Sequence, residues 1–310
     1  MISLVFSSEG ASSDLPIELL NNTTSATEMR QVKRQSVKID GQQITYLESP
    51  ADQGSDDDRT VIFVHGNSSS ARTWLPVMTG DFGRRFRCLA LDLPGHGQSE
   101  PARDQADYSL PGYAAVLIGF AKELGASDAV VVGWSMGGQI VMEAAPELSD
   151  ACGFVVFGAP PVASPAQMAE AFLPNPAMGA LFSAHVSESE AKLAAATFTA
   201  PGSPLDTGDF VADILATDGA ARAGLGSSAG AGRFADEIAI VSALRRPLAI
   251  VQGADEQLVS LDYMRKLNIP ALWRGEVQVI PGVGHAPHQE APQQFTDLLT
   301  EFIGDLSHEK

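Results

Sequence analysis

From Thr60 onward the chain alternates two kinds of segment. Short apolar runs recur as "TVIFVH", "FRCLALD", "AVVVGW", "GFVVFG", "LAIVQG" and "EVQVIP", and helix-length stretches such as Tyr108 to Leu124 and Met136 to Leu148 separate most of them. A strand that is apolar on both faces has to be covered on both, so the pattern predicts an α/β fold with a mostly parallel central sheet flanked by helices. Ahead of these runs, "SVKIDGQQITYLE" alternates around Asp40-Gly41, which predicts an opening β-hairpin. The rhythm breaks over residues 161–240, where no comparable strand run occurs and "MAEAFLPNPAMGALF" and "AKLAAATF" supply Ala, Gly, Met and Phe. Such a gap is too long for a plain connection, and it predicts an inserted helical cap at 161–240 between core segments 34–160 and 241–310. Residues 1–33 are rich in Ser, Thr, Asn and acids with little periodicity, and read as an N-terminal extension without chemistry.

Composition narrows the partners. A chain of 310 residues with 45% hydrophobic content can bury one large core with an insertion. Its 38 acidic against 20 basic residues give a formal charge of -18, which repels phosphate backbones and anionic lipid. The expected partner is therefore a small-molecule substrate, with no nucleic acid and no membrane. The opening "MISLVFSSEG" lacks the basic start and longer apolar core of a secretory signal, and no stretch is apolar for long enough to span a bilayer, so a cytoplasmic location is expected. Cys88 and Cys152 lie in apolar runs without metal-type spacing and read as small hydrophobes. No cofactor and no metal are expected.

The chemistry concentrates where strand runs end. In "VVVGWSMGGQ", Gly133-Trp134-Ser135-Met136-Gly137 follows a buried strand and opens a helix. A serine at such a strand-to-helix turn is held in a strained backbone that exposes its hydroxyl, and flanking glycines avoid collisions there, so Ser135 is the expected nucleophile. The amide N–H of Met136, at the helix start, is an expected oxyanion donor. A second donor is expected from Asn67 after "VIFVHG", where His65-Gly66 lets the backbone come close. A serine hydroxyl needs a base and a group to orient that base. "VIPGVGHAPHQEAP" offers His285 in a Gly-rich loop, with His288 as competitor. His96 reads as a turn residue, and His185 and His308 have no motif around them. "LAIVQGADEQLVS" offers Asp255 and Glu256; the spacing from Gly253 selects Glu256, leaving Asp255 as a turn residue or a group behind the acid. Trp134 and Trp74, with Met136 and the Phe and Met residues of the cap, are expected to line an acyl pocket. "GSSAGAG" lacks the strand and lysine of a phosphate loop and reads as part of the cap.

Together "HGNSSS", "LDLPGHGQS", "GWSMGG", "GAPPVA", "LATDGAAR", "GADEQLVSLDY" and "GVGHAPHQEAP" resemble the α/β-hydrolase superfamily from about Ser36 to Phe302. More narrowly they are similar to its metal-independent bacterial N-acyl-homoserine lactonases. That resemblance implies a glutamate as triad acid, which matches Glu256, and an oxyanion hole built from the Asn67 and Met136 amides. It implies opening of a lactone through an acyl-serine intermediate, hence quorum quenching. Rival readings are a general short-chain carboxylesterase, a carbon-carbon bond hydrolase, a cofactor-free perhydrolase, and a small-ligand receptor that keeps the fold without turnover. An aspartate nucleophile, required for dehalogenases and epoxide hydrolases, is excluded by Ser135.

Overall fold

The computed structural model describes residues 32–49, 51 and 59–306. The extension expected at 1–33 lies outside the described residues except for its last two, and so does His308. Among the described residues, eight strands form one sheet in the order β1-β2-β4-β3-β5-β6-β7-β8. They are β1 (Lys33–Ile39), β2 (Gln42–Ser49), β3 (Thr60–Val64), β4 (Arg87–Leu91), β5 (Val130–Trp134), β6 (Gly153–Phe157), β7 (Leu248–Gly253) and β8 (Gln278–Ile280). Only β2 runs against the others, antiparallel to both β1 and β4. The hairpin joining β1 to β2 turns on Asp40 and Gly41, with φ of 47° and 79°. Two successive left-handed residues make the turn whose twist matches that of the flanking strands.

Every residue of β5, β6 and β7 is buried. This accounts for their unbroken apolar runs. At the sheet edge β8 is shorter than its sequence run suggests and leaves Val279 exposed, because it pairs with β7 alone. The helix Leu110–Glu123 is started by Ser109, whose Oγ accepts the Gly112 N–H at 3.2 Å, and by Pro111 in its first turn. It buries Tyr113, Ala114, Leu117, Phe120 and Ala121, a stripe at helical spacing. Cys88 is buried in β4 and Cys152 is half-buried.

Strand order reverses around β3, which leaves toward β4 on one side while β5 leaves toward β6 on the other. β3 and β5 are neighbours, with Val64 opposite Gly133. A reversal of this kind opens a crevice outside the carboxyl ends of the two strands. Asn67 follows β3 and Ser135 follows β5, so both arrive at that crevice.

Between β6 and β7 the described residues form helices at Pro165–Ala171, Glu188–Ala196, Gly208–Ala216, Gly219–Gly230 and Glu237–Ala243, with a 3-10 segment at Pro176–Phe182. Arg222, 4% exposed, ties two of these pieces together. Its guanidinium donates to the carbonyls of Ile214 and Thr217 at 2.8 and 2.9 Å, and to those of Ser183 and Ala184 at 2.8 and 3.3 Å. Asp218 joins the same region to the core: its N–H donates to the Gly95 carbonyl at 2.9 Å and its carboxylate accepts the Tyr108 hydroxyl at 2.8 Å.

The chain enters and leaves this segment through one narrow neck. The Val162 N–H donates to Glu237 Oε2 at 2.9 Å, and the Glu237 N–H returns to the Val162 carbonyl at 3.1 Å. Burial pushes the Glu237 carboxyl well above the usual carboxylate range. The helix Met136–Ala144 grips both passages: Gln139 donates to the Pro160 carbonyl at 3.0 Å, and Glu143 accepts the Ala235 N–H at 2.8 Å. Tyr263 adds a hydrogen bond to the Pro161 carbonyl at 2.8 Å.

Candidate active site

Ser135 stands at φ 55° and ψ −122°, a conformation that an L-residue adopts only when its surroundings impose it. Two features hold it there. Its N–H donates to the Phe157 carbonyl at 2.8 Å at the end of β6, and the helix Met136–Ala144 starts directly after it. The helix can begin so close to the sheet because residue 137 is glycine; a Cβ there would collide with the carbonyl oxygens of Val64 and His65. The turn therefore directs the first amides of the helix at the space above Ser135, where they favour negative charge.

His285 follows β8 in a loop pinned by Glu290, whose carboxylate accepts the Gly284 N–H at 2.6 Å and the Ala200 N–H at 2.9 Å. Its Nδ1 lies 2.8 Å from Glu256 Oε2, and the two side chains are 2% and 4% exposed. The other carboxylate oxygen of Glu256 accepts the Leu258 N–H at 2.8 Å. A carboxylate only accepts, so Nδ1 donates to it, and Nε2 is the ring nitrogen left for other partners. Nε2 is buried and has no hydrogen-bond partner among the described residues. The ring lies against Gly158, where a Cβ would come within 2.8 Å of Nδ1. Gly158 and Ser135 line the same cavity.

The competing groups lie elsewhere. Asp255 is exposed, and its N–H donates to the Val283 carbonyl at 2.9 Å. His288 is fully buried, with Nε2 at 2.8 Å from Thr73 Oγ1 and its ring 4.6 Å from Trp74 and 4.8 Å from Trp134. Burial pushes its imidazole well below the usual histidine range. His65 accepts the Leu93 N–H on Nε2 at 3.0 Å and donates from Nδ1 to the Gly66 carbonyl at 2.7 Å, so it is a neutral brace beneath the Asn67 turn. Burial lowers it to about 4 and lowers His96, whose ring is 5.1 Å away, to about 3.

Ser135 opens into a cavity of about 260 Å³ lined almost wholly by apolar side chains. Asn67, Met136 and Trp134 line it. Trp134 also donates from Nε1 to the His285 carbonyl at 2.8 Å, so the indole fixes the histidine loop. Trp74 is a correction: it does not line the cavity but is fully buried beneath it, 4.7 Å from Phe63 and 5.9 Å from Phe157. The lining residues missed in the sequence include Leu110, Leu225 and Leu258, which come from three separate segments. Phe198, Met168, Phe172, Met178 and Phe182 line it as well, the Phe and Met residues expected of the cap. Leu173 and Phe182 line the cavity and are 40% and 42% exposed, marking its mouth. No group of three His, Cys, Asp or Glu among the described residues is arranged to hold a metal ion. No described helix is long and apolar enough to cross a membrane.

Comparison with solved structures gives a similar architecture for a mutant of the N-acyl homoserine lactonase AidH complexed with N-hexanoyl homoserine lactone. The TM-score is 0.83 at 32% identity, covering 90% of this chain and 100% of that one. AidH complexed with N-butanoyl homoserine also gives 0.83 at 32% identity, over 90% and 99% of the two chains. Esterase RhEst1 from a Rhodococcus species shares the fold, with a TM-score of 0.74 at 20% identity over 89% and 99%. Curated relatives match over less of their length. The uncharacterized hydrolase YugF of Bacillus subtilis is 41% identical over 96 residues, 29% of this chain and 33% of that protein. PHYLLO of Arabidopsis thaliana is 29% identical over 143 residues, 43% of this chain and 8% of its own length. A family model for alpha/beta hydrolases matches residues 61–298, from β3 into the last helix, and the chain therefore belongs to the alpha/beta hydrolase family.

Proposed function

We propose that the protein is a serine hydrolase that opens N-acyl-homoserine lactones through an acyl-Ser135 intermediate. The observation that carries this reading is the buried contact between His285 Nδ1 and Glu256 Oε2, which leaves Nε2 as a free base beside the cavity that Ser135 enters. In the proposed sequence Ser135 Oγ attacks the lactone carbonyl while His285 Nε2 takes its proton, and Glu256 stabilises the imidazolium. The N–H groups of Asn67 and Met136 receive the charge that develops on the carbonyl oxygen. Collapse breaks the ring C–O bond, and His285 returns the proton to the departing alkoxide. Because that hydroxyl stays tethered to the acyl-enzyme through the homoserine side chain, it has to move aside before water, deprotonated by the same imidazole, attacks; the Ser135 Oγ–C bond then breaks, Oγ takes the proton back from His285 and the acyl-homoserine leaves.

The helical insertion over 161–240 acts in this reading as the cap that shapes the acyl end of the cavity. Substrate class rests on the similarity to AidH at 32% identity and on an apolar cavity that suits an uncharged acyl chain. The test has two arms. Stoichiometric labelling by a fluorophosphonate, abolished in Ser135→Ala, separates an enzyme from a ligand-binding relative. Product analysis on a panel of acyl-homoserine lactones beside nitrophenyl esters separates a lactonase from a short-chain carboxylesterase. Ester turnover without lactone opening would leave a serine esterase and sink the lactonase reading.

A further inference from the structure

Asn67 belongs to two parts of the molecule. Its backbone leaves β3 and reaches the cavity beside Ser135, while its side chain crosses to the insertion and donates from Nδ2 to the Leu181 carbonyl at 2.6 Å. The other end of the amide is also held: Ser68 Oγ donates to Asn67 Oδ1 at 3.1 Å, and Ser68 is itself fixed at φ 57°. Asn67 is 8% exposed and Leu181 is 2% exposed, so the bond between them is largely shielded from water. Leu181 sits in the 3-10 segment Pro176–Phe182 and, with Met178 and Phe182, forms part of the cavity wall. A group that fills this end of the cavity thus presses on the segment whose backbone holds Asn67.

We propose that the Asn67 side chain couples filling of the cavity's acyl end to the alignment of the Asn67 N–H above Ser135. An acyl chain long enough to reach Met178, Leu181 and Phe182 would then speed the chemical step and not merely tighten binding. The inference rests on the reading of Asn67 as an oxyanion donor. Its physical basis is that a hydrogen-bond donor lowers the barrier only when it is already aimed at the position of the developing charge. Contacts made by a remote part of the substrate can supply that alignment, and they then appear in kcat. A rigid oxyanion loop unconnected to the cavity wall would give chain-length effects in KM alone.

The experiment measures kcat and KM separately for acetyl, butanoyl and hexanoyl nitrophenyl esters, in the wild type, Asn67→Ala, Leu181→Ala and the double variant. In the wild type kcat should rise with acyl length. Asn67→Ala should lower kcat for the hexanoyl ester about tenfold more than for the acetyl ester, flattening the series with little change in KM. Leu181→Ala should flatten the wild-type series and add little in the Asn67→Ala background, because both changes cut one connection. If Asn67→Ala does not fold, Asn67→Leu keeps about the same shape, removes the donor without adding charge and is read in the same way. A wild-type kcat independent of acyl length, an Asn67→Ala loss equal across the series, or additive losses would each overturn the coupling. Ester turnover that survives Ser135→Ala would instead overturn the serine-hydrolase reading on which it rests.

Discussion

The imidazole of His285 and the carboxylate of Glu256, 29 residues apart along the chain, meet at 2.8 Å, one following β8 and the other β7. Both oxygens of Glu256 accept an N–H, one from His285 and the other from Leu258. A glutamine here must set its NH2 against one of those donors. We expect Glu256→Gln to lower kcat by roughly a hundredfold or more with the fold intact. Asp255→Asn, at an exposed side chain, should cost less than about tenfold. Steady-state kinetics beside circular dichroism check both; a crippling Asp255→Asn with a near-normal Glu256→Gln would reassign the acid.

Nucleophile and base should fail as a unit. Ser135→Ala and His285→Ala are each expected to reduce turnover by several orders of magnitude, with the double variant little worse than either. Purified variants assayed at high enzyme concentration decide the matter, since multiplied losses would mean that the two groups act independently.

Arg222 carries a positive charge into a site that offers it the carbonyls of Ile214, Thr217, Ser183 and Ala184. Burial lowers its pKa from the usual arginine value. Replacing it with methionine fills much of the space but strands those carbonyls, so Arg222→Met should lose about 3 kcal/mol of stability. Lysine should not rescue it, because a single ammonium cannot reach both pairs of carbonyls. Urea unfolding, with limited proteolysis to locate new cleavage sites, would show whether the loosening is confined to 161–240; an unchanged unfolding midpoint would refute the role.

His96 predicts a pH dependence with a definite sign. Burial holds its folded-state pKa near 3, against 6.5 for the ordinary group. Between these values the unfolded chain binds a proton that the folded chain refuses, so stability falls as pH falls from about 6.5 toward about 3. Each pH unit in that window costs about 1.4 kcal/mol. Asp213, raised to about 6 by burial, pulls the other way, so the comparison should be made between variants. His96→Asn keeps a donor in place of Nδ1 toward the Pro94 carbonyl but does not titrate. Its stability relative to wild type should therefore improve steadily from pH 6.5 to pH 5; parallel unfolding curves at the two pH values would contradict the assignment.

The sheet was legible because β3 to β7 are apolar on both faces, and a run such as "AVVVGW" has few other ways to be buried. The turn at Ser135 was legible because Gly137 has to pass close to the backbone of β3, a requirement written in residue type. The selection of Glu256 over Asp255 by spacing agrees with the contact to His285. Burial partners were harder to read. Trp74 and His288 stack on each other and on neighbouring rings, and nothing local in "ARTW" or "APHQE" says that these side chains point below the sheet edge instead of into the cavity. Nothing in the sequence singles out Arg222 or Asp218, because their partners at Ser183, Ala184 and Tyr108 lie far off along the chain.

The pairing of Val162 with Glu237 means that the chain leaves the sheet and comes back at almost one point. A segment joined through so small a gate is topologically a plug-in module, since its removal or exchange re-routes no strand. Gln139 and Glu143 form the socket, one helical turn apart on the helix that begins beside Ser135. A different insertion grafted between residues 162 and 235 would inherit the same anchorage, so new pocket shapes are open to this scaffold by recombination and not by remodelling of the sheet.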